Sequence, residues 1–140
     1  MSTIEKLSNL TIKEKMKGVY FSNEGEIYIG WQDMPENFTG EYKNWWSNGQ
    51  LRLHYFYKNG KSHGEYKNWW DNGKLKIHCF YKNGKLHEEY KSWYVDGKLW
   101  SHFFYKNGKL WKEGKQWWND GSLGFHRYYE NDKIIKDYLE

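Results

Sequence analysis

The chain has 140 residues, enough for one domain. Mean hydropathy is low at −1.13, yet aromatic residues make up 21 % of the chain, with 10 Trp and 13 Tyr, a wealth of rings that excludes a disordered polar polymer. The net charge of +4 is too mild to specify nucleic acid by itself, and a single cysteine, Cys79, excludes an internal disulfide framework and fits a reducing, cytoplasmic compartment.

Residues 1–10 lack the apolar stretch of a secretory signal, and no apolar run reaches membrane-spanning length. Ser2-Thr-Ile-Glu5 has capping-box spacing, with Ile4, Leu7 and Leu10 at roughly helical intervals. The expectation is an N-terminal arm over 1–15, with a short helix at 3–10 covering the first edge strand. From residue 16 the sequence repeats with a period of 24. GEYKNWWSNGQLRLHYFYKNGKSH (40–63) returns as GEYKNWWDNGKLKIHCFYKNGKLH (64–87), as EEYKSWYVDGKLWSHFFYKNGKLW (88–111) and, worn, as KEGKQWWNDGSLGFHRYYENDKII (112–135). Residues 16–39 align as a degenerate first unit, Gly25 matching Gly49 and Ile27 matching Leu51, with the second Asn-Gly lost around Met34–Asn37. Residues 136–140 are a terminal strand or tail.

Each unit halves again. Asn-Gly or Asp-Gly falls at 48–49, 59–60, 72–73, 83–84, 96–97, 107–108 and 120–121. Such pairs between aromatic and aliphatic runs predict hairpins, because a type I′ turn needs positive φ at both central residues. Helical repeats are excluded, since a glycine turn every dozen residues would break each helix. The predicted fold is all-β: an antiparallel meander of tandem hairpins forming an elongated, twisted single sheet. Eleven strands at about 4.8 Å make it roughly 50 Å long.

Two-residue turns would fix the register. Around 59–60, Lys58 then pairs with Lys61, Phe56 with His63, His54 with Glu65 and Arg52 with Lys67. Around 72–73, Trp70 pairs with Leu75, Trp69 with Lys76 and Lys67 with His78. Alternation separates an aromatic face, carrying Tyr55, Tyr66, Trp70, Tyr81, Tyr90, Phe103, Tyr105 and Trp118, from a mixed face carrying His54, Glu65, Lys67, His78, Phe80 and Glu89. The first set comprises the candidate protein-binding residues.

Tyr57–Gly64, YKNGKSHG, followed by Tyr66 and the next Asn-Gly, resembles the MORN repeat, and the doubled motif is similar to its antitoxin-type variant. The wording YKNGKLH…EYKSWY is also similar to arrays of giant DNA viruses of amoebae; if the chain is viral, its compartment is the host cytoplasm. The resemblance covers about residues 16–135 and implies scaffolding, protein contact or attachment near membranes. Glu88 and Lys112 depart from it, standing where Gly40 and Gly64 stand in their units.

His54, His78, His102 and His126 recur every 24 residues. Backbones on alternate strands lie about 9–10 Å apart, too far to converge on one ion at about 2.1 Å, so cross-strand contacts of His54 with Glu65, His78 with Glu89 and His102 with Glu113 are expected instead of a metal site. No Gly-rich phosphate loop, nucleophile elbow or Cys-His metal spacing is present, and the expectation is a protein without enzymatic activity or cofactor. Lys58, Lys61, Lys82, Lys85, Lys106 and Lys109 flank the turns along one edge and are the candidate anion-binding residues, for an acidic protein, a lipid headgroup or nucleic acid. The expected function is a non-catalytic repeat scaffold that binds a protein, or its own copy, through the aromatic face, because exposed apolar surface marks interaction sites. The alternative is an anion-binding module using the lysine edge.

Overall fold

The computed structural model describes residues 3–139. Two short helices, α1 (Thr3–Ser8) and α2 (Ile12–Lys17), precede the strands β1 (Val19–Ser22), β2 (Ile27–Ile29), β3 (Gly40–Trp45), β4 (Leu51–Lys58), β5 (Lys61–Trp69), β6 (Leu75–Lys82), β7 (Lys85–Leu86), β8 (Glu88–Trp93), β9 (Leu99–Lys106), β10 (Lys109–Leu110), β11 (Lys112–Trp117), β12 (Leu123–Glu130) and β13 (Lys133–Asp137). They form one open antiparallel sheet in the order β13-β12-β11-β9-β8-β6-β5-β4-β3-β1-β2, with β7 on β6 and β10 on β9. The meander of hairpins is therefore as the repeat predicts from β3 onward.

The first unit departs from it. β1 lies between β2 and β3, pairing Tyr20 with both Tyr28 and Tyr42, because residues 30–39 return as a loop instead of a second hairpin. That loop stands in for the missing tip. Phe38 carbonyl accepts the Gly60 N–H at 2.8 Å, as Ser62 carbonyl accepts that of Gly84 and Leu86 carbonyl that of Gly108 one and two units later. Phe38 is buried against Tyr20, Tyr42, Tyr28 and Tyr57, and this aromatic knot is the core of the described chain. α2 is held by a capping box at Thr11 and Glu14, which satisfies two helix-end amides reciprocally. The Ser2–Glu5 box predicted from the sequence lies outside the described residues and side chains.

The turns are of two kinds. At the hairpin tips Asn59 and Gly60 both have positive φ (50° and 79°), as do Asn83 and Asn107 with their glycines, the I′ geometry expected. At the opposite edge only the glycine is left-handed. There Gly49 and Gly73 close four-residue turns onto Trp46 and Trp70, and the Asn48 and Asn72 side chains accept the amides of Gln50 and Lys74. The longer turn adds a bulge, so Trp69 faces Leu75 and not Lys76, and Trp70 bonds back to Lys74 and not Leu75.

A second irregularity corrects the other register. Lys58 pairs with Lys61 and Tyr57 with Ser62 as predicted, but Tyr55 then faces Tyr66 and His54 faces Lys67. Two extra residues at His63-Gly64 slide β5 without changing its faces, since a shift of two preserves the pleat. The pairs His54–Glu65 and Arg52–Lys67 are therefore displaced. The same insertion separates β7 from β8 at His87 and β10 from β11 at Trp111. Its second residue takes a left-handed conformation: Gly64 at φ 94°, Glu88 at 67° and Lys112 at 60°.

Candidate functional site

The histidine ladder follows from this slide. Each imidazole meets the carboxylate on the preceding strand, not the following one: His54 with Glu41 at 3.2 Å, His78 with Glu65 at 3.0 Å, His102 with Glu89 at 3.1 Å and His126 with Glu113 at 3.7 Å. Lys67 and Lys91 complete clusters at 3.4 Å from Glu65 and Glu89. Burial and the neighbouring Lys43 push the His54 imidazole below its ordinary value of 6.5. The His78 hydrogen bond, with Lys67, holds the Glu65 carboxyl below its usual 4.5. Burial alone would raise Glu89, but His102 and Lys91 together outweigh it and leave that carboxyl low. These are neutralised rows on the mixed face, and among the described residues no three of His, Cys, Asp or Glu gather as a metal set.

On the opposite face the rings form a spine. Tyr20 contacts Tyr42 at 4.6 Å, Tyr42 contacts Tyr55 at 4.8 Å, and Tyr55 contacts Tyr66 at 5.3 Å. Tyr66 meets Tyr81 at 5.8 Å, Tyr90 meets Tyr105 at 5.9 Å, and Phe103 meets Phe125 and Tyr129. Six of the candidate residues, Tyr55, Tyr66, Tyr81, Tyr90, Phe103 and Tyr105, thus lie together on one half-buried surface. Burial raises the Tyr55 hydroxyl strongly and those of Tyr20, Tyr81 and Tyr90 to about 12. Cys79 is buried among them, its thiol pushed up to about 12.

Trp70 and Trp118 stand apart from this spine. Trp70 sits at the turn edge, where its indole N–H donates to the Trp93 carbonyl of the next unit at 3.2 Å and Lys76 covers the ring at 4.5 Å. Trp46 reaches the Trp69 carbonyl in the same way at 3.1 Å, under Arg52, and Tyr94 hydroxyl reaches that of Trp117 at 2.7 Å. These side chains staple one unit to the next. Trp118 ends the series beside Gly124 and is 61 % exposed.

The spine has one hollow that the periodicity does not announce. A groove of about 380 Å³ is lined by Ile77, Leu86, Tyr90, Phe103 and Tyr105 around Ser92 and Ser101. Those two serines are buried and hydrogen-bonded to each other. The corresponding cross-strand pairs are Asn44 with Leu53, Asn68 with Ile77 and Gln116 with Phe125. Two small side chains replace larger ones, and the missing volume is the groove. The signal is present in the sequence as Ser92 and Ser101 at positions otherwise filled by Asn or Gln and an apolar residue.

The six candidate lysines are exposed at the tips. Lys61 and Lys85 lie over the glycines of the following tips, Gly84 and Gly108, so the lysines of successive units are stacked in register.

Fold and surfaces define a β-hairpin repeat array with two contrasting faces and stapled edges. A family model for a MORN repeat variant matches residues 38–59, 62–83 and 86–107, and the chain is accordingly a MORN-repeat β-hairpin array. MORN repeats in general are non-catalytic modules for contact with proteins or membrane lipids. No curated protein matches the chain. Among solved structures it is similar to a point mutant of S. aureus TarM in complex with fondaparinux, α-GlcNAc-glycerol and UDP, with 15 % identity and a TM-score of 0.44 over 99 % of this chain and 25 % of that one. A second TarM crystal structure gives 14 % identity and a TM-score of 0.43 over 98 % of this chain and 26 % of that one. The chain spans about a quarter of the length of these proteins. No helix among the described residues is long and apolar enough to cross a membrane.

Proposed function

We propose that the chain is a non-catalytic, cytoplasmic scaffold that docks a protein surface on its tyrosine face, and that a second copy of itself is the occupant that fits it. The observation that carries this reading is the ring spine with its groove and, among the described residues, no second layer over it: α2 packs at one end, by β3 and β2. Tyrosine offers area and a polar tip together, the chemistry of protein interfaces more than of a lipid interior. A surface repeated at one pitch is matched in pitch by a copy of itself, and a two-fold contact closes after one partner.

The test is light scattering behind size exclusion, with the double variant Ser92→Asn, Ser101→Ile as the comparison. That variant reproduces the Asn68–Ile77 pair of the preceding unit, so it should fill the groove without unfolding the sheet. A dimer that the variant dissociates supports the reading; a dimer the variant leaves intact places the contact elsewhere.

A second reading, an anion-binding edge, is favoured by the in-register lysines at the tips. Reversing the charge of Lys58, Lys61, Lys82, Lys85, Lys106 and Lys109 should abolish such binding and leave association through the tyrosine face unchanged.

A further inference from the structure

The tip of the 88–111 unit breaks the repeat in a coordinated way. Where earlier units carry His63-Gly64 and His87-Glu88, this one carries Trp111-Lys112. Trp111 stands as a partition between two hollows on the mixed face. One, of about 490 Å³, is bounded by Phe104, Lys106 and Lys112; the other, of about 270 Å³, by Lys106, Lys109 and Tyr128. The first lies within the size range of small-molecule sites.

Carboxylates line both hollows as well, Glu88 and Glu89 the larger and Glu130 the smaller. Glu89 is engaged by Lys91 at 3.4 Å and His102 at 3.1 Å, and Glu88 by His87 at 3.6 Å. Among the described residues no carboxylate lies within ion-pair distance of Lys106, Lys109 or Lys112. Lys106 and Lys112 instead rest over the Trp111 ring at 5.0 and 4.5 Å. Lys112 keeps its side chain at a φ of 60°, a conformation the glycine of an earlier unit adopts without strain.

We propose that Trp111, Lys106 and Lys112, which line the larger hollow together, form a nucleotide site, the base stacking on Trp111 and the phosphates held by the two ammonium groups. A flat ring suits any base, and two ammoniums beside it suit a multiply charged phosphate better than a single carboxylate. The lysines over the ring are flexible; on binding they leave it for the phosphates and open it to the base. The site lies mainly on the face opposite the tyrosine groove, shares Tyr105 with it, and does not rest on the docking proposal.

Isothermal titration at low ionic strength with adenosine triphosphate, and separately with inorganic triphosphate, tests it. The nucleotide should bind at one site, with inorganic triphosphate about tenfold weaker for want of stacking. Trp111→Leu should weaken the nucleotide about tenfold and leave triphosphate unchanged. Lys112→Gly should weaken both while raising the unfolding temperature, which separates loss of the site from loss of the fold. Absence of nucleotide binding, equal affinity for the two probes, or indifference of nucleotide affinity to Trp111→Leu would overturn the proposal.

Discussion

The left-handed residues after each tip bulge make a sharp energetic prediction. Glu88 holds φ 67° where Gly64 holds 94°. An L-residue in that region costs about 1–2 kcal/mol, and glycine returns about 0.5–1 kcal/mol of that through the freedom of its unfolded chain. Glu88 is 71 % exposed in its contact with His87, and such a pair contributes next to nothing. Glu88→Gly should therefore stabilise the fold by about 0.5–1 kcal/mol, or roughly 2–3 °C for a chain of this size. The mirror variant, Gly64→Ala, meets no atom within 4 Å of its new Cβ, so its cost is backbone alone and should be of similar size in the other direction. Urea unfolding followed by Trp fluorescence measures both, with the slope expected to stay constant. A destabilising Glu88→Gly, or a neutral Gly64→Ala, refutes the assignment of strain.

Three further outcomes follow from side chains. Trp70→Phe keeps the ring under Lys76 but orphans the Trp93 carbonyl, and should cost about 1–2 kcal/mol in urea unfolding. On acidification, His54, depressed in the fold, stabilises above its unfolded value of 6.5, and that contribution disappears as pH falls through its lower folded value. Glu65 and Glu89 add a second loss that begins as pH falls below 4.5. Melting temperature should therefore drop in two stages, and an unchanged value from pH 7 to pH 4 contradicts the burial of His54 beside Lys43. On the alkaline side, Tyr20, Tyr81 and Tyr90 are protonated to about 12 when folded against 10.0 for the ordinary phenol, so stability is complete below pH 10 and declines as pH rises toward 12. A spectrophotometric titration showing every tyrosine ionising near 10 in folded protein would contradict the buried spine.

The period of 24 and the Asn-Gly pairs make the array legible because each is a local requirement: positive φ at a tip needs Asn-Gly wherever the tip occurs. The faces are legible for a related reason. The insertion at His63-Gly64 adds two residues, which slides the partners yet leaves Tyr66 and Glu65 on their predicted sides. That same insertion displaces Glu65 from His54, which meets Glu41 across β3 and β4 instead, and nothing in the alternation marks where a strand bulges. Trp70 leaves its predicted place because Trp-Asp-Asn-Gly closes a longer turn than Lys-Asn-Gly, and the extra residue turns the indole toward the next unit. The insertion of β1 between β2 and β3 leaves no mark in residues 16–39, whose wording aligns with an ordinary unit. It depends on Phe38 filling the space beside Tyr20 and Tyr42, a tertiary choice. The Ser92–Ser101 hollow is readable only by comparing volumes across units.

Light scattering behind size exclusion at two salt concentrations tests the docking surface most directly. A dimer unaffected by salt and dissociated by Ser92→Asn, Ser101→Ile is the predicted result, because burial of rings is indifferent to ionic strength. A monomer at every concentration, or a dimer that salt dissolves, contradicts self-association through the tyrosine face.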